Sequence, residues 1–148
     1  MAIRRVVTGE VDGRSRVLID GPAPHTWCDE IWMATPDEPL GRDPGDSPRP
    51  VQPGPGATFF RTVSLSPEAV MREALAKQRP EGIDPDGFHR TDTIDYVFVL
   101  DGPVDLELDD GVVHLQPGDC VVQRETNHAW RNHNDHPVRL LVVMVGTS

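Results

Sequence analysis

The sequence is poor in cysteine and has no long hydrophobic run. Its two cysteines, Cys28 and Cys120, are too few for a disulfide framework, and the apolar neighbours of Cys120 predict that this thiol is buried. No stretch of about 18 consecutive apolar residues could cross a membrane, and no basic segment followed by an apolar one opens the chain. We therefore expect a cytoplasmic protein with reduced thiols.

Basic residues are scarce relative to acidic ones. There are 14 Lys and Arg against 24 Asp and Glu, which gives a formal net charge of −10. Nucleic acids and anionic membranes bind proteins largely through phosphate neutralisation by Lys and Arg, so we expect neither as a partner. The P-loop, dinucleotide-binding and Gly-x-Ser-x-Gly motifs are also missing, which argues against nucleotide-dependent transfer and serine hydrolysis. The expected partner is a small molecule.

Proline and glycine, by contrast, are abundant, with 15 and 13 copies. They are concentrated in residues 35–57, where so many breaks exclude a helix or a central strand. We predict a long loop there, either a lid over the mouth of a barrel or a passive insertion. The length of 148 residues fits a single domain.

The other segments are typical of short antiparallel strands. Hairpin turns are predicted at Asp12-Gly13 and Asp110-Gly111. One helix is predicted over residues 67–78, with Ser66 as its N-cap and Pro67 at its first position. Many short strands separated by regular turns indicate a β-barrel or β-sandwich. The predicted fold class is all-β with one short helix.

Polar side chains occur on what should be an inner, apolar face. Counting by twos from His89 reaches Asp95 and then the apolar positions 97 and 99, so an extended segment directs all of them inward. The same count groups His128 with residues 130 and 132. Inward carboxylates and imidazoles are costly unless they are paired, hydrogen-bonded or bound to a metal. These residues are therefore candidates for a functional site.

The spacing of these residues resembles the motifs of the cupin superfamily. The first cupin motif places histidines, a glutamate and a glycine at intervals that His89, Asp95 and Gly102 match, with Asp95 in the place of the glutamate. The second motif ends in a histidine followed four positions later by an asparagine, as His128 and Asn132 do. The chain is thus similar to cupins in both motifs.

Two longer runs carry a closer likeness to small single-domain bacterial and fungal cupins. They are residues 88–96 and 123–132, and residues 87–145 as a whole carry the cupin motifs. The resemblance implies that residues 1–148 form one cupin domain, an antiparallel β-barrel also described as a double-stranded β-helix or jelly roll. It also implies a homodimer that pairs through its sheets, which would cover exposed strand edges.

The resemblance also bears on metal binding. Cupins with the full motif bind a divalent metal through three histidines and a glutamate. In this sequence Thr91 takes the place of one histidine, so His89, Asp95 and His128 are the metal ligands that the resemblance implies. Two histidines and a carboxylate suit non-haem iron, but aspartate is one methylene shorter than glutamate. The expectation is either one divalent metal (Fe, Mn, Ni or Zn) or a metal-free site.

Three functions stay open. The favoured one is a lyase or isomerase that performs dehydration, decarboxylation or cyclisation in the barrel cavity, with His128, His89 and Asp95 as catalytic acid–base or metal-assisting groups. The alternatives are a metal-dependent dioxygenase or other oxygenase and a cupin that binds a small ligand without turnover. The predicted substrate-binding residues are Tyr96, Gln123, Trp130, Asn132 and Thr91.

Overall fold

The computed structural model describes residues 2–46 and 49–148, and in them the predicted all-β architecture is confirmed. The described residues contain a single α-helix. In chain order, the elements are β1 (Arg4–Val11), β2 (Arg14–Pro22), β3 (Asp29–Thr35), β4 (Glu38–Arg42), β5 (Thr58–Leu65), α1 (Glu68–Lys77), β6 (Thr93–Val99), β7 (Val104–Leu108), β8 (Gly111–Leu115), β9 (Cys120–Arg124), β10 (Ala129–Arg131) and β11 (Val138–Gly146).

The strands form three antiparallel sheets. A six-stranded sheet has the order β4-β3-β5-β11-β6-β9, a three-stranded sheet has the order β10-β7-β8, and β1 and β2 form a separate hairpin. The core lies between the two larger sheets, because its buried side chains come from both of them. They include Phe59, Val97, Val99, Val104, Leu106, Leu115, Val138, Leu140, Val142 and Met144.

Strict alternation of buried and exposed residues defines the inner face of the large sheet. In β11, every second residue from Val138 to Gly146 is buried, and in β6 the same holds from Thr93 to Val99. Successive side chains of a strand point to opposite faces, so each strand presents one face to the core. Strand β11 lies between β5 and β6. The inner face therefore continues across the centre of the sheet.

The Pro/Gly-rich segment 35–57 departs from the prediction of an unbroken loop. Residues 38–42 form β4, which pairs only with β3 and lies at the edge of the large sheet. The proline at its second position, Pro39, is compatible with an edge strand, where one row of backbone N–H groups needs no partner. Ser47 and Pro48 of the predicted loop lie outside the described residues.

Three local predictions need correction. The N-cap of α1 is Pro67, not Ser66, and no side chain caps the helix. Instead the Glu68 N–H donates to the Asn132 carbonyl over 2.8 Å, so a tertiary contact satisfies a backbone donor at this helix end. The second hairpin turns one residue earlier than predicted, because Leu108 already pairs with Gly111. Finally, Cys120 is exposed, since it takes the outward phase of the short edge strand β9.

No helix in the described part of the chain is both long and apolar enough to span a bilayer.

Candidate active site

A cavity of about 250 Å³ opens on the inner face of the large sheet. Most of its wall is apolar, formed by the inward side chains of β5, β6 and β11. The polar residues that also line it are Arg61, His89, Thr91, Asp95, Gln123 and His128. A mostly apolar pocket with a few convergent polar groups is typical of a small-molecule site.

The backbones of His89 and His128 pair directly, which brings the two imidazoles together. The N–H of each residue donates to the carbonyl of the other, over 2.9 and 3.0 Å. The ring centroids are 4.4 Å apart with the planes tilted by 53°. Residues separated by 39 positions in the sequence thus share one end of the cavity, as the two motifs predict.

Backbone carbonyls fix the tautomer of both imidazoles. His89 Nδ1 lies 3.0 Å from the Gly87 carbonyl and His128 Nδ1 lies 2.8 Å from the Thr126 carbonyl. A carbonyl oxygen only accepts hydrogen bonds, so each Nδ1 carries a proton and Nε2 is the nitrogen that can gain or lose one. The pKa of His128 is lowered from 6.5 to about 4, mainly by burial and also by the neighbouring His89, against the opposing effect of the Thr126 carbonyl. His128 is therefore neutral at physiological pH.

Asp95 lies on the same inner face at the end of a chain of hydroxyl groups. Thr93 Oγ1 donates to Asp95 Oδ1 over 2.6 Å, and Thr91 Oγ1 lies 2.7 Å from Thr93 Oγ1. Because the single hydroxyl proton of Thr93 is donated to Asp95, the Thr91 hydroxyl must be the donor in its hydrogen bond with Thr93. Burial raises the pKa of Asp95, while the Thr93 hydroxyl, His89 and Arg61 act in the opposite direction. The carboxyl is thus electrostatically linked to His89.

The predicted substrate-binding residues fall into two groups. Thr91, Gln123 and Trp130 line the cavity. Tyr96 does not, because it takes the outward phase of β6 and is half exposed. Asn132 is buried away from the cavity, where its amide donates to the Leu65 and His136 carbonyls over 2.9 Å each. Asn132 therefore joins neighbouring segments and does not face a ligand.

Sequence reasoning missed a buried ion pair at the cavity. Arg61 and Glu30 are both fully buried, and Arg61 Nη2 lies 2.7 Å from Glu30 Oε1. The guanidinium lies over the rings of Trp27 and Phe59, 5.0 and 4.5 Å from their centroids. The signal for Arg61 was present in the sequence, since it occupies the inward phase of β5 between Phe59 and residues 63 and 65. Glu30 gave no such signal, because an irregularity in the pairing of β3 follows it.

Comparison with known proteins agrees with the two motifs. Residues 75–144 match the family model for a cupin domain, Cupin_2. These residues are therefore similar to cupin domains. The predicted resemblance is thereby confirmed, and the His89–His128 pair lies within the matched residues of the cupin domain.

Two curated relatives of this chain come from Diaporthe leptostromiformis. The chain is 47% identical over 73 residues to phomopsin biosynthesis cluster protein C′ and 57% identical over 81 residues to phomopsin biosynthesis cluster protein D, both of Diaporthe leptostromiformis. The first match covers 49% of this chain and 36% of the relative, the second 54% and 35%. The chain thus spans about a third of the length of these relatives.

Solved cupins are more distant. A Cupin 2 conserved barrel domain protein from Salinispora arenicola is 17% identical with a TM-score of 0.43, over 67% of this chain and 70% of that one. A cupin-2 domain protein from Shewanella frigidimarina is also 17% identical with a TM-score of 0.43, over 66% and 78%.

The donor set of the cavity does not fit a three-ligand metal centre. Two imidazoles with Nδ1 held by carbonyls are oriented as metal-binding histidines often are. However, residues 2–46 and 49–148 contain no group of three His, Cys, Asp or Glu side chains placed to hold one ion. Asp95 Oδ1 instead accepts from Thr93. Among the described residues, the expected set of His89, Asp95 and His128 is therefore not assembled around a common point.

Proposed function

We propose that this cupin is a small-molecule enzyme of the lyase or isomerase type, which moves a proton within its cavity without a metal and serves a biosynthetic pathway. The observation that carries the proposal is the histidine pair: both imidazoles line an apolar cavity with Nδ1 bonded to a backbone carbonyl, which leaves Nε2 as the nitrogen for proton transfer. An unprotonated imidazole in such a site is suited to general-base work. The names of the curated relatives, which are biosynthesis cluster proteins, support the pathway context.

In this proposal His89 is the base. Asp95 interacts electrostatically with His89, so its carboxylate would stabilise the imidazolium that forms when Nε2 takes a proton from a substrate carbon. In a dehydration, the imidazolium returns that proton to the departing hydroxyl, a carbon–carbon double bond forms and water leaves. In an isomerisation, the proton returns to a different carbon. His128 stays neutral and accepts a hydrogen bond that positions the substrate.

The test is deuterium exchange. The protein is incubated in D₂O with a panel of small hydroxy- and oxo-substituted esters and amides, and loss of C–H signals is followed by NMR. We expect exchange or turnover that survives EDTA and consumes no oxygen. His89→Gln should abolish it, because the amide cannot take the proton, and His128→Asn should weaken it, while the exposed His114→Gln serves as the matched control.

Two results would overturn the proposal. Oxygen uptake that requires added Fe(II) and disappears with chelator would favour the oxygenase alternative. Saturable ligand binding with neither exchange nor turnover across the panel would favour the binding cupin.

We also propose that the protein is a homodimer that pairs through the outer face of the large sheet. One cross-strand row on that face consists of Phe60, Val143, Tyr96 and Val122, which are directly opposite one another in successive strands. The row carries no charge, and Tyr96 and Val122 are 50% and 56% exposed. An exposed apolar patch on a protein with a net charge of −10 is suited to an interface.

A further inference from the structure

The cavity contains two buried polar atoms whose hydrogen-bonding capacity is unused. Within the described ranges, neither the Nε–H of Arg61 nor Oε1 of Gln123 has a hydrogen-bond partner. Both residues line the cavity, and their exposed fractions are 0% and 4%. A buried donor or acceptor without a partner costs about 1–3 kcal/mol, so each such group calls for an explanation. A ligand that supplies an acceptor to Arg61 and a donor to Gln123 would remove both costs.

The orientation of the Gln123 amide is set by its neighbours. Its Nε2 donates to the Thr126 carbonyl over 3.3 Å and also contacts the Thr126 hydroxyl. Since a carbonyl can only accept, the amino group faces Thr126 and the Oε1 atom is left as the free acceptor. The same carbonyl accepts from His128 Nδ1. Gln123 is thus anchored to the carbonyl that orients one of the two imidazoles.

The charge of Arg61 is already balanced, which constrains the ligand. Glu30 lies 2.7 Å away and is equally buried, so the pair is neutral. The other ionisable groups of the wall are two imidazoles and a carboxyl, and none of them adds a permanent positive charge. An anionic ligand would therefore be buried without compensation, which costs several kcal/mol, and the net charge of −10 also repels it. An ammonium placed at the Arg61 guanidinium would meet a like charge, so the group that meets Arg61 is a neutral acceptor.

We infer that the cavity recognises a small neutral ligand with a carbonyl acceptor for Arg61 and an N–H or O–H donor for Gln123, of the amide or hydroxy-carbonyl class. This inference rests on the proposed function, whose substrate class it specifies. The volume of about 250 Å³ corresponds to roughly eight waters at about 30 Å³ each. The apolar side chains that form most of the wall pack around the rest of the ligand.

The test compares three probes that share a benzyl group and differ in charge. Phenylacetamide offers both a carbonyl and an N–H, phenylacetate is an anion and 2-phenylethylamine is a cation. Binding is followed by the fluorescence of Trp27 and Trp130, which line the cavity. We expect phenylacetamide to bind at least about tenfold more tightly than either charged probe. Preference for the carboxylate or the amine, or no binding of phenylacetamide, overturns the inference.

Variants assign the recognition to the two residues. Gln123→Met removes the acceptor at similar volume and should weaken phenylacetamide binding roughly three- to tenfold. Arg61→Lys keeps a positive charge for Glu30 but loses the Nε–H, and it should weaken binding similarly. Gln116→Met, the same change at an exposed position, should have no effect. If Gln123→Met folds normally and binds as tightly as the wild type, Gln123 has no recognition role and the inference fails.

This binding measurement does not depend on turnover. Amide-selective binding without proton exchange would contradict the acid–base proposal and leave the ligand class standing. Exchange or turnover of anionic substrates would contradict the ligand class and leave the acid–base chemistry standing.

Discussion

Acid should destabilise this protein through His128. The buried imidazole has a pKa of about 4 in the folded state, against 6.5 in the unfolded chain. Between these values the unfolded chain binds a proton that the folded protein does not, so the free energy of unfolding falls as the pH is lowered from 6.5 towards 4. The full difference amounts to about 3 kcal/mol, of which about 2 kcal/mol is lost between about pH 7 and pH 4.5.

Urea unfolding at the two pH values measures this loss, and a variant isolates the contribution of His128. His128→Asn keeps a donor for the Thr126 carbonyl but does not titrate. The wild type should therefore lose about 2 kcal/mol more than His128→Asn over this interval, while His114→Gln, with an exposed imidazole, should behave like the wild type. Equal losses in wild type and His128→Asn would show that His128 is not held neutral by burial, and would refute the reasoning.

Three further predictions concern other buried or exposed groups. Glu30→Gln should lower the free energy of unfolding by about 3–5 kcal/mol because it leaves Arg61 as an uncompensated buried charge. Asp20→Asn, in an exposed ion pair, should change the free energy of unfolding far less, and equal effects of the two variants would contradict a special role for burial. Asp95→Asn should gain stability relative to the wild type as the pH rises above 3.8, because burial raises the pKa of Asp95 and its ionisation therefore costs stability. Urea unfolding at several pH values measures this gain, and a difference in unfolding free energy that does not change with pH would contradict it. Phe98→Glu, on the outer face of the large sheet, should convert the proposed dimer to a monomer in light scattering, and a dimer that persists would place the interface elsewhere.

The fold was predictable because its strands carry local signals. Alternation in β6 and β11 identifies their inner faces, and the spacing of His89, Asp95 and His128 matches two motifs that lie far apart in the chain. The edge strand β4 escaped prediction because its proline and its glycine suggest breaks, and only pairing with β3 makes it a strand. Intrinsic residue preferences do not contain such pairing information.

The sequence placed His89, Asp95 and His128 in one cavity wall but did not predict the contacts that these side chains make. Nothing in the sequence says that Asp95 accepts a hydrogen bond from Thr93. Asn132 matches a motif position, yet its hydrogen bonds hold neighbouring segments together. The Glu30–Arg61 pair joins residues 31 positions apart in the sequence. Its formation depends on the register between β3 and β5, and an irregularity in β3 next to Glu30 shifts that register.

The carbonyl of Thr126 accepts hydrogen bonds from both Gln123 and His128. A ligand that donates a hydrogen bond to Gln123 Oε1 polarises the amide and strengthens the bond from Gln123 Nε2 to the Thr126 carbonyl. That bond then competes with the bond from His128 Nδ1–H to the same carbonyl. Occupancy of the proposed ligand site and the proton affinity of the imidazole would therefore be one linked equilibrium. Ligands that bond differently to Gln123 will bind with different strength, and they will also change the pKa of His128 by different amounts. Changes to this wall that alter selectivity will for the same reason alter the pH dependence of whatever the cavity does.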